Sequence, residues 1–167
     1  VRDESPILLC DVDGVISLWG FDNTDPPPGR WAQIDGTAHY LSSTAAGHIK
    51  QLVSQHFDLV WCTGWEERAD EHLPHLLGLP AGKAHLTFDG RSQAEVSTHG
   101  HWKLPAIDAF VGQRAIAWID DALDDACRSW ADARQWPTLL VDTDPAVGLD
   151  ERGADVLNAF ARAILDR

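Results

Sequence analysis

The chain has 167 residues, 44% of them hydrophobic and 23% charged, an ordinary composition for a globular protein large enough to bury a sizeable core. Its 26 acidic residues outnumber 13 lysines and arginines, and the net charge of −13 repels polyanions and argues against strong non-specific nucleic-acid binding. No apolar run approaches a membrane span, and the opening Val1-Arg2-Asp3-Glu4-Ser5 is no secretory signal, so one cytoplasmic domain over residues 1–167 with no membrane partner is expected.

In chain order, five short apolar runs alternate with segments of helical period. The first run is Ile7–Cys10, followed at once by Asp11-Val12-Asp13-Gly14. Residues 17–41 carry no helical period. There a prolyl stretch, Asp25-Pro26-Pro27-Pro28-Gly29, lies between Leu18-Trp19 and Trp31-Ala32-Gln33-Ile34, which predicts a β-hairpin flap turning at the prolines. Ile49, Leu52, Val53 and His56 then fall at i, i+3, i+4 and i+7 behind the cap candidates Ser42-Ser43-Thr44, which predicts a helix.

The second run, Phe57–Cys62, ends on Thr63-Gly64. Glu66 and Glu67 open a further helix, in which Pro74 is expected to make a kink or restart and Gly78 an end. The remaining runs are His85–Phe88, Ala115–Ile119 and Thr138–Val141. Leu123, Ala126, Cys127 and Trp130 form one later helical stripe, and Val156, Leu157, Phe160 and Ile164 another. Strands alternating with helices predict an α/β domain with a mainly parallel sheet, whose ligands gather at the carboxyl ends of the strands. Cys10, Cys62 and Cys127 have no metal-ligand spacing and read as buried free thiols of a reducing compartment.

The residues with chemical potential stand at those strand ends. Asp11 and Asp13 would point to opposite faces of a regular strand, so they converge only if the chain leaves the strand at Asp13, where Gly14 permits a sharp turn. Thr63 and the Gly64 N–H suit a phosphate oxygen, although a Thr at such a junction equally serves as a helix cap. Lys103, one of three lysines, stands near a helix start, where an ammonium can neutralise a carboxylate and a phosphate oxygen together. Asp120 and Asp121 close the fourth run, with Asp124 and Asp125 a helical turn further. Four acids so close repel one another unless a cation compensates, and hard oxygen ligands suit Mg²⁺.

Asp-x-Asp after a strand, Thr after a strand, Lys at a helix start and Asp-Asp after a strand, in that order, resemble the four motifs of the haloacid dehalogenase (HAD) superfamily. Thr63-Gly64-Trp65-Glu66, His101-Trp102-Lys103-Leu104-Pro105 and Trp118-Ile119-Asp120-Asp121 resemble a capless branch of it. The resemblance implies a Rossmann-like three-layer sandwich with a five-stranded sheet, a flap over about residues 17–41 and no cap domain.

It further implies an Mg²⁺-dependent phosphomonoesterase that works through an aspartyl-phosphate. Asp11 is then the nucleophile, Asp13 the general acid and base, and Thr63 and Lys103 the holders of the phosphoryl oxygens. The metal falls to the Asp11 carboxylate, the Asp13 carbonyl and Asp121, with Asp120 and Asp125 in support. Gly64, Trp31 and Trp65 are the candidate substrate contacts, since indoles at the mouth can stack a base, and a phosphorylated small molecule or nucleic-acid end is the expected partner. A catalytically silent binding module on the same fold and an aspartyl-phosphate phosphotransferase are the alternatives. A phospho-receiver domain is disfavoured because there the acidic pair comes on the first strand and the lysine last, whereas here Asp120-Asp121 follows Lys103.

Overall fold

The computed structural model describes residues 5–88 and 100–166, so Val1–Glu4 of the opening stretch lie outside the described residues. Five parallel strands make the main sheet: β1 (Ile7–Cys10), β5 (Asp58–Trp61), β6 (Ala84–His85), β7 (Ile116–Asp120) and β8 (Thr138–Asp142). They lie in the order β6-β5-β1-β7-β8, with β1 in the centre. The chain first builds outward from β1 through β5 and β6, then returns to add β7 and β8 on the other side. That reversal puts a crevice at the carboxyl end of β1, between the ends of β5 and β7.

Period-two alternation gives each strand two apolar faces, and helices cover both. On one face Leu8, Cys10, Leu59, Trp61, Ala117 and Ile119 pack under α1 (Ser43–Gln55), α2 (Glu67–Leu77) and α5 (Glu151–Leu165), through Ile49, Leu52, Leu73, Leu157 and Ala161. On the other, Ile7, Leu9, Val60, Cys62, Ile116 and Trp118 pack under α3 (Leu104–Val111) and α4 (Asp125–Ala133), through Ile107, Val111 and Cys127. All three cysteines are buried free thiols. No helix among the described residues is long and apolar enough to cross a membrane. No cap domain is seen among the described residues.

The flap is a three-stranded antiparallel sheet of β2 (Ser17–Leu18), β3 (Gly29–Ile34) and β4 (Thr37–Ser42), in the order β2-β4-β3. Its hairpin turns at Asp35-Gly36 and not at the prolines. Both turn residues have positive φ, 51° and 80°, as a two-residue hairpin turn requires, and Ile34 pairs with Thr37 across it. The prolyl stretch instead links β2 to β3 and is tied to the sheet by the Tyr40 hydroxyl, which donates to the Pro27 carbonyl at 2.7 Å.

Three further details differ from the periodicity. Helix α2 runs through Pro74, which is buried on its core face, and the Gly78 and Leu79 N–H groups both close on the Pro74 carbonyl. Val156 is exposed, because α5 buries Ala154, Leu157 and Ala161. Asp124, not Leu123, sits at the start of α4, its carboxylate accepting from the Cys127 N–H at 3.0 Å.

Candidate active site

Beyond Cys10 the chain leaves the sheet within three residues. The Asp11 N–H still bonds the Ile119 carbonyl at 3.1 Å. By Gly14, at φ 75°, the backbone has turned back so that the Gly14 N–H meets the Ser17 carbonyl at 2.8 Å. Asp11 and Asp13 therefore line one cleft of about 720 Å³ instead of opposite strand faces.

Lys103 ends a short 3-10 turn, Gly100–Lys103, and is 3% exposed. Its ammonium has three donors and spends them on three acceptors: Asp120 Oδ2 at 2.6 Å, the Cys62 carbonyl at 2.9 Å and Asp11 Oδ2 at 3.0 Å. One charged nitrogen thus ties together the ends of β1, β5 and β7. Asp11 Oδ1 accepts from the Val12 N–H at 2.7 Å. Asp120 is fully buried and accepts also from Trp118 Nε1 at 3.2 Å and the Ala122 N–H at 2.9 Å. Asp121 approaches Gly14 so closely that a Cβ there would lie 2.4 Å from its carboxylate.

Carboxylate oxygens of Asp11, Asp120 and Asp121 lie within 4.8 Å of one another. Three acids thus share one ammonium. Burial pushes the Asp11 carboxyl above its ordinary range, with Lys103 pulling it down and Asp120 adding to the rise. Burial, then Asp120, raises Asp121 to about 6. Burial alone would lower the Lys103 ammonium, but Asp11 and Asp120 outweigh it and hold it above its usual value. The lysine stays charged and the carboxylates lack countercharge. An all-oxygen cluster of this kind, with a close-fitting glycine beside Asp121, fits a hard divalent cation. Asp120, expected only in support, belongs to this cluster, whereas the Asp13 carboxylate does not.

Thr63 is fully buried, and its Oγ1 accepts from the Trp65 N–H at 3.3 Å, the capping geometry its position also allowed. Gly64 lines the cleft. Trp65 lines it too but is only 7% exposed, and its Nε1 donates to Asp13 Oδ2 at 2.9 Å. Its ring meets the edge of His39 at 4.7 Å between centroids, and the Arg68 guanidinium at 5.7 Å. It offers no open face for stacking.

Three expected residues do not line the cleft: Thr63, which is buried beneath it, Trp31 and Asp125. Trp31 pairs with Tyr40 across β3 and β4, while the adjacent pair, Ala32 with His39, faces the other way. His39 lines the cleft, so alternation sends Trp31 to the opposite face, where it packs on Tyr40 and is 62% exposed. Asp125 is an exposed first-turn acid of α4 and does not line the cleft. Conversely, His39, Arg68, Phe88 and Trp102 line the cleft without having been anticipated, and Trp19, at 48% exposure, is the open indole at its mouth. Trp102 packs against Phe88, and its ring lies 5.5 Å from Lys103 Nζ, which keeps water from that ammonium.

No curated protein matches the chain. Residues 7–154 match the model of a family described as the HAD domain in Swiss Army Knife RNA repair proteins. That span contains Asp11, Gly64, Lys103 and Asp120-Asp121, which line one cleft, and the chain belongs to this family of HAD domains.

Proposed function

We propose that the chain is a Mg²⁺-dependent phosphohydrolase that removes phosphate from nucleic-acid ends, with Asp11 as its nucleophile. The observation that carries the reading is the buried junction of Asp11, Lys103, Asp120 and Asp121 at three adjacent strand ends. Membership of a family described by RNA repair supports the substrate class.

An Asp11 oxygen attacks phosphorus while the bond to the leaving oxygen breaks. Asp13 gives its proton to that oxygen, so an aspartyl-phosphate and a neutral alcohol result. Asp13, now a carboxylate, takes a proton from water, whose oxygen attacks the same phosphorus. The bond to Asp11 breaks, inorganic phosphate leaves, and Asp13 is again protonated. Lys103, already shared with Asp11, holds a phosphoryl oxygen as charge shifts, and Thr63 and Gly64 border the same strand end. Asp11, Asp121 and the Asp13 carbonyl, with Asp120 beside them, would hold Mg²⁺. The ion supplies positive charge between two anions, the nucleophile and the phosphoryl group.

The reading is tested with purified protein, Mg²⁺ and a 3′- or 5′-phosphorylated oligonucleotide beside an aryl phosphate. Turnover to inorganic phosphate in the wild type, a beryllium fluoride adduct on Asp11, and neither in Asp11→Asn are expected. Wild-type rates in Asp11→Asn, or full activity in excess chelator, would overturn it. Transfer of the phosphoryl group to an added alcohol in place of water would make the protein a phosphotransferase.

A further inference from the structure

Asp13 is served by one donor that its mechanism does not explain. Trp65 lies 52 residues further along the chain, yet its indole Nε1 is 2.9 Å from Asp13 Oδ2. The indole is held in place from both sides. His39 of β4 meets its ring at 61°, and the Ser17 hydroxyl fixes His39 through Nδ1 at 2.9 Å. Arg68 of α2 lies over the ring and is anchored by Asp35 of the flap turn, Nε to Oδ2 at 2.7 Å. The flap and α2 thus clamp one side chain, and the only polar atom of that side chain is aimed at Asp13.

We propose that Trp65 is a positioning residue for Asp13, fixing the orientation of its carboxyl group through Oδ2. The inference rests on the acid–base role given to Asp13 above. An indole N–H can donate but not accept. Oδ2 is therefore held as its acceptor, and the plane of the Asp13 carboxyl group is fixed with it. A guanidinium in the same place would pair with the carboxylate and hold it ionised. A neutral donor orients the group and leaves it free to be protonated. Without this contact, Asp13 would turn about its side-chain torsions, away from the carboxylates of Asp11 and Asp121 that repel it.

The two half-reactions depend on Asp13 unequally. A good leaving group departs without a proton, whereas activation of water needs the base whatever the substrate. Trp65→Phe keeps the ring and removes the donor. With p-nitrophenyl phosphate the variant is expected to show an intact burst of nitrophenol and a steady-state kcat lower by about 10–100-fold, within the range of general acid–base effects. KM should change little, and acid-quenched protein should carry phosphate on Asp11 that the wild type clears. With an alkyl phosphate the burst is lost, because the first step now also lacks its acid. In an Asp13→Asn background, Trp65→Phe should lower kcat no further, since a residue acting through Asp13 has nothing left to position.

Losses that multiply in the double variant, or equal slowing of aryl and alkyl phosphates with no phosphoenzyme, overturn the inference. So does an indole N–H resonance of Trp65 that fails to move in Asp13→Asn, a measurement that stands even where Trp65→Phe does not fold. A wild type that releases no inorganic phosphate and takes no beryllium fluoride on Asp11 overturns the phosphohydrolase reading, and this inference falls with it. A wild type that forms and clears phosphoenzyme just as Trp65→Phe does overturns this inference alone.

Discussion

Lys103→Met isolates the contribution of the ammonium at the strand junction. Methionine fills nearly the same path beside Trp102, so little cavity is left and the change is electrostatic. Three contacts disappear, to Asp120, Cys62 and Asp11, at 2.6, 2.9 and 3.0 Å. Removing one partner of a buried ion pair costs about 3–5 kcal/mol, because the other charge stays buried and uncompensated. Here the lower end applies. Asp120 keeps the Trp118 and Ala122 donors, Asp11 keeps the Val12 N–H, and Asp11 already titrates above the ordinary carboxylate range, so a proton can replace the lysine. A loss of about 3 kcal/mol corresponds to a Tm lower by about 6–12 °C for a chain of this length.

The assay is urea unfolding at neutral pH in chelator, with a lower midpoint and an unchanged m-value expected. Asp120→Asn added to Lys103→Met should recover part of the loss, since the second change removes an orphaned charge. For the lysine itself the folded pKa is raised above its ordinary 10.5, so its stabilisation is fully present below that value. It is lost only as pH climbs through the folded pKa. A Lys103→Met protein within about 0.5 kcal/mol of wild type, the range of an ordinary surface change, would refute the buried junction.

Three other outcomes are expected. Asp121→Ala should raise the Mg²⁺ concentration needed for half-maximal activity at least tenfold and Asp125→Ala should not, because only Asp121 belongs to the carboxylate cluster; equal effects would misplace the metal. Native protein at pH 8 should react with no thiol reagent within minutes and expose three thiols in denaturant. Burial raises Cys10, Cys62 and Cys127, the last to about 12, and rapid native labelling would contradict that burial. Trp19→Ala should lower catalytic efficiency on a phosphorylated oligonucleotide by about 5–100-fold, the range of one lost base stack, and spare an aryl phosphate. Trp31→Ala should do neither, and the reverse pattern would mean that the flap faces the other way.

What could be read from the sequence follows from how local each signal is. Asp11, Thr63, Lys103 and Asp120-Asp121 each stand beside an apolar run or a helix start, so their placement needs only the alternation of strands and helices. The flap was read correctly as a hairpin and wrongly in its turn. Proline drew attention to residues 25–29, although Asp-Gly at 35–36 is the stronger hairpin signal. With that turn, Ala32 pairs with His39 and Trp31 with Tyr40, and a register that differs by one residue exchanges the faces. The Asp-Gly turn thus puts His39 at the cleft and Trp31 on the opposite face, which the prolyl stretch alone does not reveal. Asp124 and Asp125 raised a different problem, since acids serve equally at a helix start and at a metal. Trp65 with Asp13, and Arg68 with Asp35, are contacts across distant segments that leave no local pattern to find.

The same arrangement addresses how a chain of net charge −13 can admit a phosphate. Among the described residues that line the cleft, Asp11, Asp13, Glu66, Asp120 and Asp121 face only Lys103 and Arg68, and both cations already hold carboxylate partners. An approaching dianion therefore meets a repulsive field, and the exposed Trp19 can offset only part of it. A divalent ion held among Asp11, Asp120 and Asp121 would offset most of this excess. Trp65 orients Asp13 through a neutral donor and so adds no charge of its own to this balance. The excess acid of the cleft is thus left to the cation site of Asp11, Asp120 and Asp121, and the indole acts on geometry alone.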